Sequence, residues 1–178
     1  MKTTCFALLG LLLATSAPAQ TTIKDALVKH WRTTADLTIA VAEAMPAADY
    51  TFRPNPEEMN YGQLMTHIAV ANFNACSRAV GKTPPAFSAK VTEWTKAQNK
   101  VDIDKETAMS LLKDSFALCN QTVASMTPEL LDQVHGTGER AMTTFEVLWS
   151  YFTHTAHHRG QAEVYLRMKG ITPPTYKF

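Results

Sequence analysis

Charge is scarce in this sequence and almost evenly split: 19% of the residues are charged, Lys+Arg 17 against Asp+Glu 16, for a formal net charge of +1. That balance supplies no extended positive field for a polyanion, so nucleic acid is not expected as a partner. Glycine is also sparse, at 7 residues, and no segment repeats, which leaves little material for the tight turns of an all-β fold or for a repeat array. There are 3 cysteines. None of them forms C-x-x-C, which argues against a thiol-redox motif, and C-x-x-C-H is missing, which argues against attached haem. Beyond the first twenty residues no run is apolar enough to span a bilayer, which takes ~20 residues. What is present is a chain of 178 residues, 46% of them hydrophobic, a makeup suited to one helical globular domain.

The first twenty residues follow a different pattern. Lys2 precedes the apolar run Phe6-Ala7-Leu8-Leu9-Gly10-Leu11-Leu12-Leu13-Ala14, and small residues ending Ala17-Pro18-Ala19 follow it. A basic start, a short apolar core and an A-x-A ending make a secretory signal. Residues 1–19 therefore read as a signal peptide cleaved after Ala19, and residues 20–178 as the mature domain. Cys5 precedes the apolar run rather than following it, contrary to a lipoprotein signal. The expected location is exported, either periplasmic or extracellular. Disulfides persist in such compartments, and the mature chain keeps Cys76 and Cys119.

Four segments carry helical periodicity with punctuation between them. The first covers about Thr22 to Met45 and ends at Pro46. In the second, Asn60 caps, Gln63 sits three residues on, and Gly81 stops the run. Residues 82–103 hold Pro84-Pro85 and one short amphipathic piece around Trp94. The third helix covers about Lys105 to Met126, after which Thr127-Pro128 opens a short extra turn. A link, His135-Gly136-Thr137-Gly138, leads to the fourth helix, which starts near Thr143 with Glu146 as its capping partner and runs to Lys169, with Gly170 at C′. Such helices are about 30 to 40 Å long at ~1.5 Å per residue, as a four-helix bundle requires. The links between helices 1 and 2 and between 3 and 4 imply antiparallel neighbours. The long link between helices 2 and 3 permits a crossover, so up-down-down-up is expected. In that order Cys76 and Cys119 fall at similar heights, roughly 22 to 24 Å from their helix starts. Equal height permits a bond without requiring one, because buried unpaired Cys is common.

Candidate chemistry concentrates in the last helix, where His154 and His158 stand four apart and share a face. His67, early in helix 2, belongs to the inward register Gln63, Leu64, His67, Ala71, and an inward histidine needs a polar partner. One divalent ion per chain would satisfy all three rings. Zn, Ni and Fe are not distinguishable from imidazole ligands alone. With no protein carboxylate or thiolate in the set, positions stay open, as in catalytic rather than structural sites. His157, Arg159, Gln161, Tyr61, Gln63 and Tyr151 are candidates for surrounding or pocket positions, with Asn74 and His30 weaker ones. Gly160 reads as a close helix approach. No residue stands out as a general base: Glu163 faces elsewhere and Glu146 is two turns from His154.

The segment from Phe52-Arg53-Pro54 through Asn60-Tyr61-Gly62-Gln63-Leu64-Met65-Thr66-His67, then His154-x3-His158-Arg159-Gly160-Gln161, and the ending Tyr165-Leu166-Arg167-Met168-Lys169-Gly170-Ile171-x-Pro173-Pro174 together resemble the DinB family of metalloenzyme-like proteins. The resemblance covers the mature chain in order and is most specific in the last forty residues. It implies a four-helix bundle in which one histidine of the second helix and two of the last bind a divalent metal, here His67, His154 and His158. Some members resemble thiol-dependent transferases or isomerases. The export signal departs from that pattern, since reduced low-molecular-weight thiols are scarce in an oxidising compartment.

The leading expectation is an exported metal-dependent hydrolase or transferase acting on a small molecule. The alternatives are a metal- or small-molecule-binding helical module without turnover, and a structural bundle whose histidines only titrate. A homodimer is left open.

Overall fold

The computed structural model describes residues 22–97 and 100–176. The signal peptide assigned to residues 1–19 lies outside the described residues. The elements are α1 (Ile23–Ala44), α2 (Tyr61–Ala79), α3 (Ala89–Ala97), α4 (Lys105–Ser125), α5 (Pro128–Leu131), β1 (Val134–His135), β2 (Met142–Thr143) and α6 (Thr144–Met168). The long helices α1, α2, α4 and α6 form a bundle, and no helix among the described residues is long and apolar enough to cross a membrane.

Local chemistry fixes the helix starts. Thr22 with Asp25, Asn60 with Gln63, and Thr143 with Glu146 each close a reciprocal capping box, satisfying amides that have no intrahelical acceptor. Asp104 caps α4 through Thr107 N at 2.8 Å. Its carboxyl is held well below the usual range, first by the hydrogen bond from Lys90 and then by the Thr107 amide. At the far end of α6, Gly170 takes φ 75°, a left-handed stop that glycine adopts without strain.

The four helices do not pair as the links imply. α2 packs against α4 and α6, and α1 packs against the same two helices, so α1 and α2 stand diagonally across the bundle. The chain between them is long enough to make that crossing, and it uses a 3-10 turn at Ala47–Asp49 on the way. The Tyr61 hydroxyl spans the diagonal, donating to Val41 O at 2.7 Å. The link from α4 to α6 also holds structure the sequence did not signal: β1 and β2 form a small antiparallel hairpin, with Val134 opposite Thr143 and His135 opposite Met142.

α2 is the most deeply buried helix, and α4 lies close along it. Near the starts of both, Asn60 Nδ2 donates to Asp102 Oδ1 at 2.6 Å and Gln63 Nε2 to Val101 O at 3.0 Å. Further along, Cys76 and Cys119 are joined in a disulfide with Cα atoms 5.2 Å apart. At the first of these contacts Gly62 is required by space: a Cβ there would overlap the Ile103 carbonyl oxygen, which is backbone and cannot swing aside. Gly62→Ala is expected to destabilise the protein by about 1–3 kcal/mol, read as a lower denaturant midpoint at unchanged slope.

Gly160 behaves differently from its sequence reading. It is exposed, and an added Cβ would meet nothing within 4 Å, so it marks no close helix approach.

The crossover helix α3 is anchored by an ion pair from Lys90 to Asp104 at 2.8 Å and by its apolar face, on which Val91 and Trp94 are buried. That anchoring carries Trp94 to the side of α2 that bears His67.

Candidate metal centre

His67 on α2 and His154 and His158 on α6 meet where the two helices pack. Nε2 of His154 lies 3.0 Å from Nε2 of His67 and 3.1 Å from Nε2 of His158. The ring centroids are 4.9 Å (His67 to His154), 4.6 Å (His67 to His158) and 4.4 Å (His154 to His158) apart. The four-residue spacing on α6 stacks two imidazoles on one face, and α2 supplies the third from across the interface.

The donor set fits a divalent cation. An ion bound ~2.0–2.1 Å from each nitrogen needs those nitrogens about 3–3.5 Å apart, close to the observed separations. His158 Nδ1 donates to Gln161 Oε1 at 2.6 Å, which leaves its Nε2 with a bare lone pair in the neutral ring. A single hydrogen on His154 Nε2 cannot bridge to both neighbours, whereas one central cation would engage all three lone pairs. Burial pushes His67 and His154 down to about 4, with the neighbouring imidazoles adding to the effect. His158 is also lowered, because burial outweighs the hydrogen bond to Gln161. All three rings are thus neutral near pH 7, the protonation state that ligation needs. The three can hold one ion, their ligand atoms lying within 4.8 Å of one another.

Gln161 fixes the ring orientation and tautomer of His158, a role that partners of metal-binding histidines commonly fill. Gln161→Leu removes the acceptor and is expected to weaken metal binding by roughly 10–100-fold, measured by competition with a chromogenic chelator. His154 differs from His158 in this respect, since its buried Nδ1 has no partner among the described residues.

The surrounding candidates separate into two groups. Tyr151 packs beside His154, centroids 5.8 Å apart, and His157 lies against the His158 ring at 4.8 Å while remaining exposed. The others have their polar ends committed to structural bonds. Tyr61 is fully buried and bonded to Val41 O, and burial raises its phenol far above the ordinary range. The Gln63 amide closes the α2 capping box and reaches Val101 O. Arg159 is buried with its guanidinium 3.4 Å from Thr34 Oγ1, 3.8 Å from Glu163 and 5.4 Å from the Tyr176 ring centroid. These three positions read as pocket candidates in the sequence because their partners, on α1 and in the crossover, are remote in the chain. Asn74 and His30 are exposed. Glu146 is spent on the α6 cap and Glu163 on Arg159 and Arg167.

One residue at the site was not singled out by sequence reasoning. Trp94 packs against the His67 ring, centroids 6.5 Å apart at 68°, and is 7% exposed. The available signal was a single tryptophan in the one amphipathic stretch of the crossover.

Residues 30–162 match the DinB superfamily, and the chain belongs to that superfamily. Among solved structures it is similar to a DinB-like protein of Bacillus subtilis, with 21% identity over 85% of this chain and 97% of that one and a TM-score of 0.65. A DinB-like protein of Bacillus cereus gives 18% identity, coverage of 88% and 99%, and a TM-score of 0.68. YfiT of Bacillus subtilis, described as a probable metal-dependent hydrolase with an unusual four-helix bundle topology, gives 14% identity, coverage of 89% and 95%, and a TM-score of 0.66. At these identities the likeness is one of fold. No curated protein matches the sequence.

Proposed function

We propose that this chain is an exported metal-dependent enzyme, a hydrolase or transferase of a small molecule, in which His67, His154 and His158 hold one divalent ion. The observation that carries the reading is the convergence of three Nε2 atoms, 3.0 and 3.1 Å from the central one, with no carboxylate or thiolate in the group. Three neutral ligands leave coordination positions for a substrate, which suits catalysis better than a closed structural site. When bound, such an ion supplies Lewis acidity that polarises a carbonyl or lowers the pKa of a ligand water or thiol. The description of YfiT as a probable metal-dependent hydrolase favours hydrolysis.

Export and helix order belong to the same reading. The basic, apolar and A-x-A pattern of residues 1–19 supports a cleaved leader, and the Cys76–Cys119 disulfide is of the kind that persists outside the cytosol. Contacts at matched heights on α2 and α4, Asn60 with Asp102 and Cys76 with Cys119, support up-down-down-up.

Metal-loaded and chelator-stripped protein should be compared on ester, amide and thiol-plus-electrophile panels. Turnover that vanishes on stripping and returns with metal is expected. Full metal occupancy with no turnover on any panel would assign a binding module instead.

A further inference from the structure

The outward side of α6 lacks what a solvent-facing helix normally carries. Such a helix turns charged residues away from the core, yet from Val147 to His158 α6 has no acidic, lysine or arginine side chain. Its inner side is buried through Val147, Leu148 and Ala162, and on its outer side Trp149 is 51% exposed, with Phe145 and Phe152 half-buried beside it. The three rings form a ladder. Phe145 and Trp149 have centroids 6.2 Å apart at 19°, and Trp149 and Phe152 have centroids 5.7 Å apart at 27°.

Beside the ladder the surface is hollow. A cavity of about 190 Å³ lies between α1 and α6, walled by Ile23, Leu27, Trp31, Phe145, Trp149 and Phe152, with no acidic, lysine or arginine side chain among its described residues. An apolar cavity of ~150 Å³ holds one aromatic ring. The hollow and the exposed indole therefore share one face, and the first is large enough for the second. A broader hollow continues past Ile23 and Phe145 to Pro128 and Leu131, and Ile23, at the shared edge, is 63% exposed.

We propose that this α1/α6 face is the interface of a homodimer, in which Trp149 of each copy enters the hollow of the other about a twofold axis. An isologous contact needs a face complementary to itself, and an aromatic knob beside an aromatic-sized hole meets that condition. A net charge of +1 sets up no repulsion between copies. The face is also large enough. From Phe145 to Val164 it runs about 28 Å along α6 at ~1.5 Å per residue, and with α1 alongside it is two helix diameters wide, room for the ~800 Å² per partner of a specific complex. Trp149 stands about 140° around α6 from His154, so the inference does not rest on the three-histidine reading.

The test is sedimentation velocity on the mature protein over a dilution series, with tryptophan emission read on the same samples. Wild type is expected to sediment as a dimer at high concentration and to dissociate on dilution with a red shift in emission. Trp31 and Trp94 are buried, so that shift reports Trp149. Trp149→Glu is expected to weaken the dimer at least about thirtyfold, the loss typical of a central interface tryptophan, and Ile23→Glu to weaken it in the same direction. Val80→Glu, at an exposed apolar position at the end of α2, should leave it unchanged. Metal content should stay at the wild-type value in all three.

Wild type that remains monomeric throughout the series would overturn the inference; a saturable emission shift on adding toluene to that monomer would then make the hollow a site for small aromatic molecules instead. A dimer of wild-type affinity in Trp149→Glu and Ile23→Glu would place the interface on another face and overturn it as well. If Trp149→Glu does not fold, Ile23→Glu and the wild-type emission on dilution decide.

Discussion

Replacing His67 with Ala is expected to weaken divalent-metal binding by roughly a hundredfold or more, because one of three ligands is removed from a set whose total binding energy at such sites is on the order of 10 kcal/mol. His154→Ala and His158→Ala should do the same. The cleanest readout is the difference in melting temperature between metal-replete and chelated protein. A ligand at ~1,000 times its Kd stabilises the native state by about 4 kcal/mol, and that increment should disappear in each variant. Using the difference removes any effect of the substitution on the metal-free fold. His157 is exposed and lies against the outer side of the cluster, at the His158 ring, and it is not in the group whose ligand atoms converge, so His157→Ala should stay near wild type. Metal lost in His157→Ala but kept in His67→Ala would mean that the wrong face of α6 has been assigned.

Breaking the Cys76–Cys119 disulfide is expected to cost stability without touching the site. The bond closes a loop of sequence separation 43, for which the chain-entropy account gives about 3–4 kcal/mol. For a domain of this size that corresponds to a fall of roughly 6–16 °C in melting temperature. Both cysteines are fully buried and lie about 13 Å along α2 from the level of His67, at ~1.5 Å per residue. Reduced wild type and the Cys76→Ala/Cys119→Ala protein should therefore unfold at lower urea and retain their metal. Coincident unfolding curves for oxidised and reduced protein would show that the bond contributes nothing. Loss of metal on reduction would show that fold and site are coupled more tightly than the distance allows.

What the sequence made legible was local. The capping boxes at Asn60 and Thr143, the stop at Gly170 and the spacing of His154 and His158 all lie within a turn or two of chain, where backbone hydrogen bonding and helical period decide the outcome. The inward register of α2 was enough to bring His67 to the same point. What escaped was set by partners far apart in the chain. The diagonal placement of α1 and α2 follows from which helices fill the space between them, a packing outcome that link length only permits. Gln63 and Arg159 resembled pocket residues, yet Val101 and Thr34 hold them, and neither partner carries a signal near its target. The hairpin strands are too short to show a period, and Trp94 finds His67 only because the crossover folds back over α2.

The most direct measurement is the metal content of the purified mature protein combined with X-ray absorption at the metal's edge. The expected result is one divalent ion per chain with three imidazole nitrogens in its first shell, at ~2.0–2.1 Å if the ion is zinc, and no such signal in the His67→Ala protein. Protein that stays metal-free after exposure to zinc, nickel and iron, or an ion whose shell contains no imidazole, would contradict the account.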